Sequence, residues 1–546
     1  MEKRTLLAFV LTAGLWAAWI WYFAPDADKV EQNATPGTTA VSTDKTVAAE
    51  QIIPEKSVII IPASKNAKEE SIDLSTEKFK FELTSRGAAI KKANYRERNI
   101  DLVFGNHFST KGTLDFAVHF TEDEFMTGNS LADAVWNYVK LDDKTIKFFT
   151  DLNMDGKPLR IEKVYRFTEK GYDFTIDYNF INRSRQPLAF KNSLAVFSPS
   201  DILGPELDYS NRYNGMTGIY SVANDYEQNL KGGGFFSKAE DLKRVSGAID
   251  YTGIMSRYFL LIMKPADFTG ATMLFDNRAH TGCRTGMAVE MKEIAPGQQL
   301  VRSFRIYLGE KDKTMLKSVD PMLVDASDVS TLIEPIRYFV IWSLSWINKL
   351  FGNLGWSLVV FSVLTKIVFM PLTKKSTDSM KKMQELAPEI KKMQAKYKDK
   401  PDVAQREMMR MYKENKVNPL GGCLPLLLQM PFFFGLYSAL INSIDMWNAP
   451  FMLWMKDLSM PDTVFAVSGF NINILPLLMT VSTIIQQKQT MVDTGNQQQK
   501  MMMYMMPVIL LFIFWTMPSG LVLYWLLQNL YQILNQTIVN RIGKKA

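Results

Sequence analysis

The chain has 546 residues, 47% of them apolar, with 31 methionines, 34 phenylalanines and a formal net charge of +7. Cys283 and Cys423 are too few for a disulfide framework, and His107, His119 and His280 lack metal-ligand spacing, so redox and metal chemistry are set aside. The basic residues stand mainly beside apolar runs, which points to membrane topology rather than to nucleic acid.

The first apolar run, 6–23, follows Lys3 and Arg4 and runs into Asp26 and Asp28. With no A-x-A site after it, residues 1–25 are expected to form a signal-anchor helix, N-terminus inside, in preference to a cleaved signal peptide. Residues 26–56 have few large apolar side chains and read as a flexible linker on the outer side. From 57 to 317 the apolar period is two. Tyr172, Phe174, Ile176, Tyr178 and Phe180 alternate with polar residues, as in a half-buried strand, and 161–167 precedes them across a hairpin-like Thr168–Gly171 connection. Phe79/Phe81/Leu83 and Phe304/Ile306/Leu308 repeat the pattern, so this part is predicted to be an all-β sandwich of antiparallel sheets.

After 317 the period becomes helical. Within a connecting segment, 318–352, the aromatic run 336–350 carries Trp342 and Trp346 among polar residues, which suits a helix lying in the membrane interface. Apolar runs at 356–372, 420–441, 472–487, 501–517 and 521–539 are each long enough to cross a bilayer, some with tilt, which with the anchor makes six spans. Charge placement orients them. Basic residues in 374–416, 488–500 and at Arg541, Lys544 and Lys545 fall on the inner side with both termini, whereas the loop 442–470 holds Lys456 against Asp445, Asp457 and Asp462.

The segment 373–417 is too charged to span. Met380, Met383, Leu386, Ile390 and Met393 recur at helical steps, the pattern breaks at 398–402, and Met408, Met411 and Tyr412 resume it. A cytoplasmic helical hairpin results, either packed on itself or presenting a soft methionine surface. Lys366 is the sharper signal: an ammonium about 15 Å along a span from Trp356 is costly in hydrocarbon, and Ser362 and Thr365 lie beside it. Snorkelling to the inner headgroups is the plain alternative. Gln429 in the second of these runs and Tyr524, Gln528 and Asn529 in the last suit helix-packing hydrogen bonds or, together with Lys366, one hydrophilic cavity. Prolines 425, 431, 507 and 518 interrupt the helices.

Five motifs in order, Gly352-Asn353-Leu354-Gly355-Trp356, Pro371-Leu372-Thr373, Val417 to Pro425 (VNPLGGCLP), Gln429-Met430-Pro431 and Pro518 to Tyr524 (PSGLVLY), resemble those of the YidC membrane protein insertase family. The resemblance covers most of the chain, including the anchor and exported β domain of the Gram-negative form. It implies an insertase and chaperone of the bacterial inner membrane, with a core of five helices, 353–546, around a positively charged groove open to cytosol and lipid. The groove would then comprise Lys366, Ser362, Thr365, Gln429, Tyr524 and Trp525. Client helices would slide past Phe432, Phe433, Met501, Met502 and Met505, with Met380, Met383, Met408 and Met411 of the hairpin receiving them. Implied partners are nascent membrane proteins, the ribosome, Sec translocon components and membrane lipids. Two positions depart from the family pattern: lysine stands at 366 where arginine is usual, and Trp525 replaces the second tyrosine of a pair. No nucleotide motif, no cofactor site and no catalytic residue set is present in the sequence, and neither paired repeats for a transporter nor an intramembrane Ser/His or paired-Asp site for a protease is found.

Overall fold

The computed structural model describes residues 59–60, 68–103, 113–128, 130–190, 193–200, 202–204, 216–229, 242–268, 271–276, 284–327, 333–397, 401–415, 424–467, 470–490 and 497–543. The predicted anchor, the linker, His107, His280 and both cysteines lie outside them. The described residues fall into two compact units, a β unit within Ala13–Asp328 and a helical unit within Val329–Ala546.

The β unit follows the period-two pattern closely. Asp173–Asn182 buries Phe174, Ile176, Tyr178 and Phe180 on one face, and it pairs antiparallel with Lys157–Phe167 across the predicted hairpin and with Gln299–Glu310 on its other side. These strands are the middle of a ten-stranded antiparallel sheet. A four-stranded sheet starting at Ser71–Ser75 packs on it through Phe81, whose ring lies 4.6 Å from that of Phe167. A five-stranded sheet packs through Phe197, 4.9 Å from both Tyr178 and Phe304. The aromatic residues of the alternation therefore supply both sheet interfaces. Helix α1 (Glu122–Thr127), capped by Thr121, buries Phe125 against Val196, Leu274 and Ala288. Helix α2 (Lys313–Val319), capped by Asp312, and the turn Pro321–Ser327 bury Leu316, Leu323 and Ala326 on Ile262 and Tyr307. The boundary drawn at 317 thus falls inside α2, because these apolar residues continue the β core. His119 is buried on a short strand, edge-on to Phe125.

At Lys163 the alternation carries a charge into this core, at 2% exposure. Its ammonium donates to the carbonyls of Ala88 (3.0 Å) and Asp115 (2.7 Å), with Gly87 O at 3.4 Å, and lies near the faces of Tyr165 and Tyr178. Ala88 also accepts from Tyr165, and its φ of 50° is tolerated because both side chains hold the turn. Burial pulls the Lys163 pKa down to about 7, against the opposing charge of Asp115.

In the helical unit, α3 (Glu334–Phe351) and α4 (Leu354–Lys396) are joined by two residues with separate tasks. Gly352, at φ 63°, ends α3 in the left-handed region, and Asn353 caps α4 by accepting from Trp356 N at 3.1 Å. Helix α4 runs for 43 residues without interruption through Pro371 and Pro388, so the span carrying Lys366 and the first arm of the hairpin are one helix. Helix α5 (Pro401–Glu414) folds back on it, burying Ile390 and Tyr412 with Met383, Leu386, Met408 and Met411 around them. Three further helices, α6 (Leu424–Asn442), α7 (Ile474–Thr490) and α8 (Gln497–Phe514), precede the last, α9 (Ser519–Gly543).

Apolar side chains face outward throughout this unit. Trp342 on α3, Val368 on α4 and Phe512 on α8 are 64%, 68% and 75% exposed, and Val481 on α7 and Leu534 on α9 are exposed likewise. Among the described residues one helical stretch, Leu354–Pro371, is long and apolar enough to cross a membrane, with a mean hydropathy of 1.7, while Met505–Phe514 is a shorter apolar helix. The six spans expected from sequence are not reached on that measure. The anchor and the side chains that open α6 lie outside the described residues, and polar residues lower the hydropathy elsewhere: α7 ends on Gln486, Gln487 and Lys488, α8 opens on three glutamines and Lys500, and α9 carries Gln528, Asn529, Gln532 and Gln536.

The Lys163 arrangement makes a pH-dependent prediction. The folded pKa lies below the unfolded value, so the unfolded state binds more protons between pH 7 and 10.5 and stability rises with pH across that window. Hydrogen-exchange protection of Lys157–Phe167 in the full-length protein should rise by roughly 1 kcal/mol per pH unit there, after correction for intrinsic exchange, and Lys163→Met should flatten the slope.

Candidate functional site

Helix α9 carries polar residues at steps of four, Tyr524, Gln528, Gln532 and Gln536, which share one face. The adjoining helices meet this row. Gln429 on α6 donates to the Tyr524 hydroxyl at 3.0 Å. Gln528 donates to the Ser362 carbonyl (3.0 Å) and to Thr365 Oγ1 (3.2 Å) on α4. One turn further along, the Lys366 ammonium donates to Gln532 Oε1 at 2.8 Å. On a neighbouring face Asn529 donates to Ser482 and Thr483 of α7 at 3.0 and 2.9 Å. The result is a polar seam between α4, α6, α7 and α9 in which Lys366 is partly exposed and Gln532 is buried.

The seam is closed at the end where α4 and α9 begin. There Leu358, Phe361, Leu436, Leu440, Leu521 and Val522 form a buried apolar plug. The segment after α6 seals it by capping helix starts. Ser519 N and Gly520 N of α9 donate to the carbonyls of Met460 and Leu458, and Asp462 accepts from Leu475 N at the start of α7 (2.6 Å) and from Trp454 (3.1 Å). Phe451 lies so close to α4 that a β-carbon at Gly355 would fall 2.1 Å from its ring, and Trp356 packs on it at 5.3 Å. The glycines of two sequence motifs are therefore places of close approach.

Of the residues expected in a groove, Lys366, Thr365, Gln429 and Tyr524 meet in the seam. Ser362 lies there too, but its hydroxyl turns back to the Leu358 carbonyl (2.7 Å) and it offers its own carbonyl instead. Trp525 sits elsewhere: its ring packs on Phe433 and Phe514, each at 5.3 Å, as part of the α6–α8–α9 contact. Phe432 packs edge-on to Phe369 of α4, and Met505 is exposed. The side chains of Met380, Met501 and Met502 lie outside the described residues. Gln532 was missed by the sequence reading, although the four-residue step from Tyr524 through Gln528 would have found it.

A helical unit that turns its apolar side chains outward and pairs its polar ones inward, in the same chain as a β sandwich, defines an integral membrane protein with a β-rich domain. Two family profiles match the chain, that of the YidC periplasmic domain over residues 71–333 and that of the 60Kd inner membrane protein over residues 346–546. The membrane protein insertase YidC of Pelobacter propionicus is 30% identical over 558 residues, covering 99% of each chain, and that of Chlorobium limicola is 31% identical over 579 residues, covering 99% of this chain and 95% of its own. A crystal structure of an active YidC insertase with its first transmembrane domain resolved aligns over 86% of this chain and 92% of its own, at 17% identity and a TM-score of 0.36. The chain belongs to the YidC membrane protein insertase family, a family of inner-membrane insertases rather than enzymes, and the β unit is its periplasmic domain.

The contacts of Asn529 tie α7 to α9 where apolar packing alone gains nothing over lipid. Asn529→Leu should lower the stability of the purified protein in detergent by about 0.5–2 kcal/mol, read as a fall in midpoint temperature, whereas Leu530→Ala on the exposed face should cost less.

Proposed function

We propose that the seam is a groove open to the cytosol through which this insertase takes up the short hydrophilic segments of nascent membrane proteins. The observation that carries the reading is Lys366: a cation held between helical stretches, α4 through Pro371, α6, α7 and α9, that contain no acidic residue, in a seam plugged at the opposite end. Its unpaired charge attracts acidic groups of a client tail, and the polar row hydrates the tail while it waits. The client's apolar segment meanwhile moves along the exposed Met505, Ile509 and Phe512 of α8 and the Phe432 side of α6 into lipid. Burial of apolar area drives that step, and an inside-negative potential favours outward passage of each acidic charge by about 2.3 kcal/mol per 100 mV. No bond is made or broken.

In this reading the chain has six spans with both termini in the cytoplasm, an anchor at 1–25, a linker at 26–56, a periplasmic domain that begins at 57 and runs past the expected boundary at 317 through the turn ending at Ser327, a connecting and interfacial segment up to 352 and the insertase core at 353–546. Exposed Phe339, Trp342 and Trp346 on α3 suit the membrane interface, against which the helix keeps Val340, Leu344 and Ile347 on its packed side. The basic hairpin 373–417 and the tail with Arg541, Lys544 and Lys545 suit an anionic ribosome surface. Sec translocon components and membrane lipids complete the partners, and a chaperone role follows from holding a client in the groove while its other segments fold.

A substitution series at position 366 tests the charge. In cells depleted of their own insertase, Lys366→Ala should lower client insertion about tenfold, the equivalent of roughly 1.4 kcal/mol of lost attraction, Lys366→Glu should lower it further and Lys366→Arg should preserve it. Equal insertion by all three variants defeats the proposal.

A further inference from the structure

We infer that Gln532 is a positioning residue that holds the Lys366 charge in the seam without neutralising it, and so sets the preference for acidic client tails. The inference rests on the groove reading above. The described helices that surround the seam, α4 through Pro371, α6, α7 and α9, contain no Asp or Glu. Lys366 therefore has a hydrogen-bond acceptor, Gln532 Oε1 at 2.8 Å, but no counter-ion among these residues. That distinction matters chemically. An amide oxygen satisfies one ammonium hydrogen and leaves the full positive charge, whereas a carboxylate at the same place would form a neutral pair. A client carboxylate can displace the amide because a bond between two charged groups is about twice as strong as one to a neutral acceptor. It could not displace a resident carboxylate on those terms.

Two other amides of the seam are committed elsewhere. Gln528 is engaged with Ser362 and Thr365, and Gln429 with Tyr524. Gln532 is buried at 9% exposure, so its amide is fixed, while Lys366 stays partly exposed on a flexible four-carbon stem. Left without an acceptor, such a stem would carry its ammonium along α4 to the nearest water. Gln532 keeps it at the depth of the seam.

The test uses the full-length protein in proteoliposomes and two single-span clients that differ only in carrying two glutamates or two glutamines in the translocated tail. The readout is the ratio of acidic-tail to neutral-tail insertion, measured by protease protection, which cancels losses of folded protein. Lys366→Gln should lower the ratio, Gln532→Glu should lower it about tenfold by pairing the charge in place, and Lys366→Gln with Gln532→Lys should restore it to within about twofold by supplying the cation from α9. If Lys366→Gln lowers the ratio but Gln532→Glu leaves it unchanged, or if the double variant does not recover it, the groove stands and the assignment of Gln532 falls. If Lys366→Gln itself leaves the ratio unchanged, the charge reading of the groove falls and the assignment with it.

Discussion

The helical unit depends on the polar row of α9. Apolar helices have no reason to leave lipid for one another, because lipid tails are as apolar as leucine, so association must come from close packing and from polar groups that find partners only inside. Tyr524, Gln528, Asn529 and Gln532 each meet a different part of α4, α6 or α7, and the exposed apolar belt is what remains on the far side of the same helices. In the groove reading, the seam that holds the bundle together is also the place where a hydrophilic client segment would find hydrogen-bond partners.

A second constraint acts at the helix ends. The first N–H groups of a helix need acceptors, and in a region poor in water they must come from protein. The segment between α6 and α7 supplies them, with Met460 and Leu458 carbonyls at the start of α9 and the Asp462 carboxylate at the start of α7. In doing so it lays Phe451 and Leu458 over the apolar plug. One end of the seam is shut by the same contacts that finish the helices.

The β unit is built on the opposite principle. Its apolar face turns inward, ring against ring between sheets, and its charged residues pair on the surface, as with Arg160 and Asp151 or Lys78 and Glu97. Some charges go inside, and Lys163 among them is a cation held by three backbone carbonyls at a turn. Its environment differs from that of Lys366. Lys163 is buried among three carbonyls, whereas Lys366 has one amide acceptor and stays partly exposed.

Most of the architecture was legible in the sequence because it is local. Period two over Tyr172 to Phe180, period 3.6 in the hairpin and the charge asymmetry of the loops each depend on neighbours within a few residues, and the structure keeps the strand alternation residue for residue. Lys366 was conspicuous for the same reason, a charge inside an apolar run. Its partner was not, because the pairing of Lys366 with Gln532 depends on the rotation and register of two helices separated by 166 positions in the chain. The same holds for Trp525, which composition places beside Tyr524 but which helical rotation turns toward Phe433 and Phe514, and for Ser362, whose hydroxyl had an acceptor on its own helix. The sequence by itself determined the long period-two and helical stretches and where a charge falls inside an apolar run, but not the short helices α1 and α2 of the β unit or the strand Thr463–Val467 in the loop 442–470. Only the tertiary structure decided what that charge touches, since contacts between elements are set by packing, which no local pattern encodes.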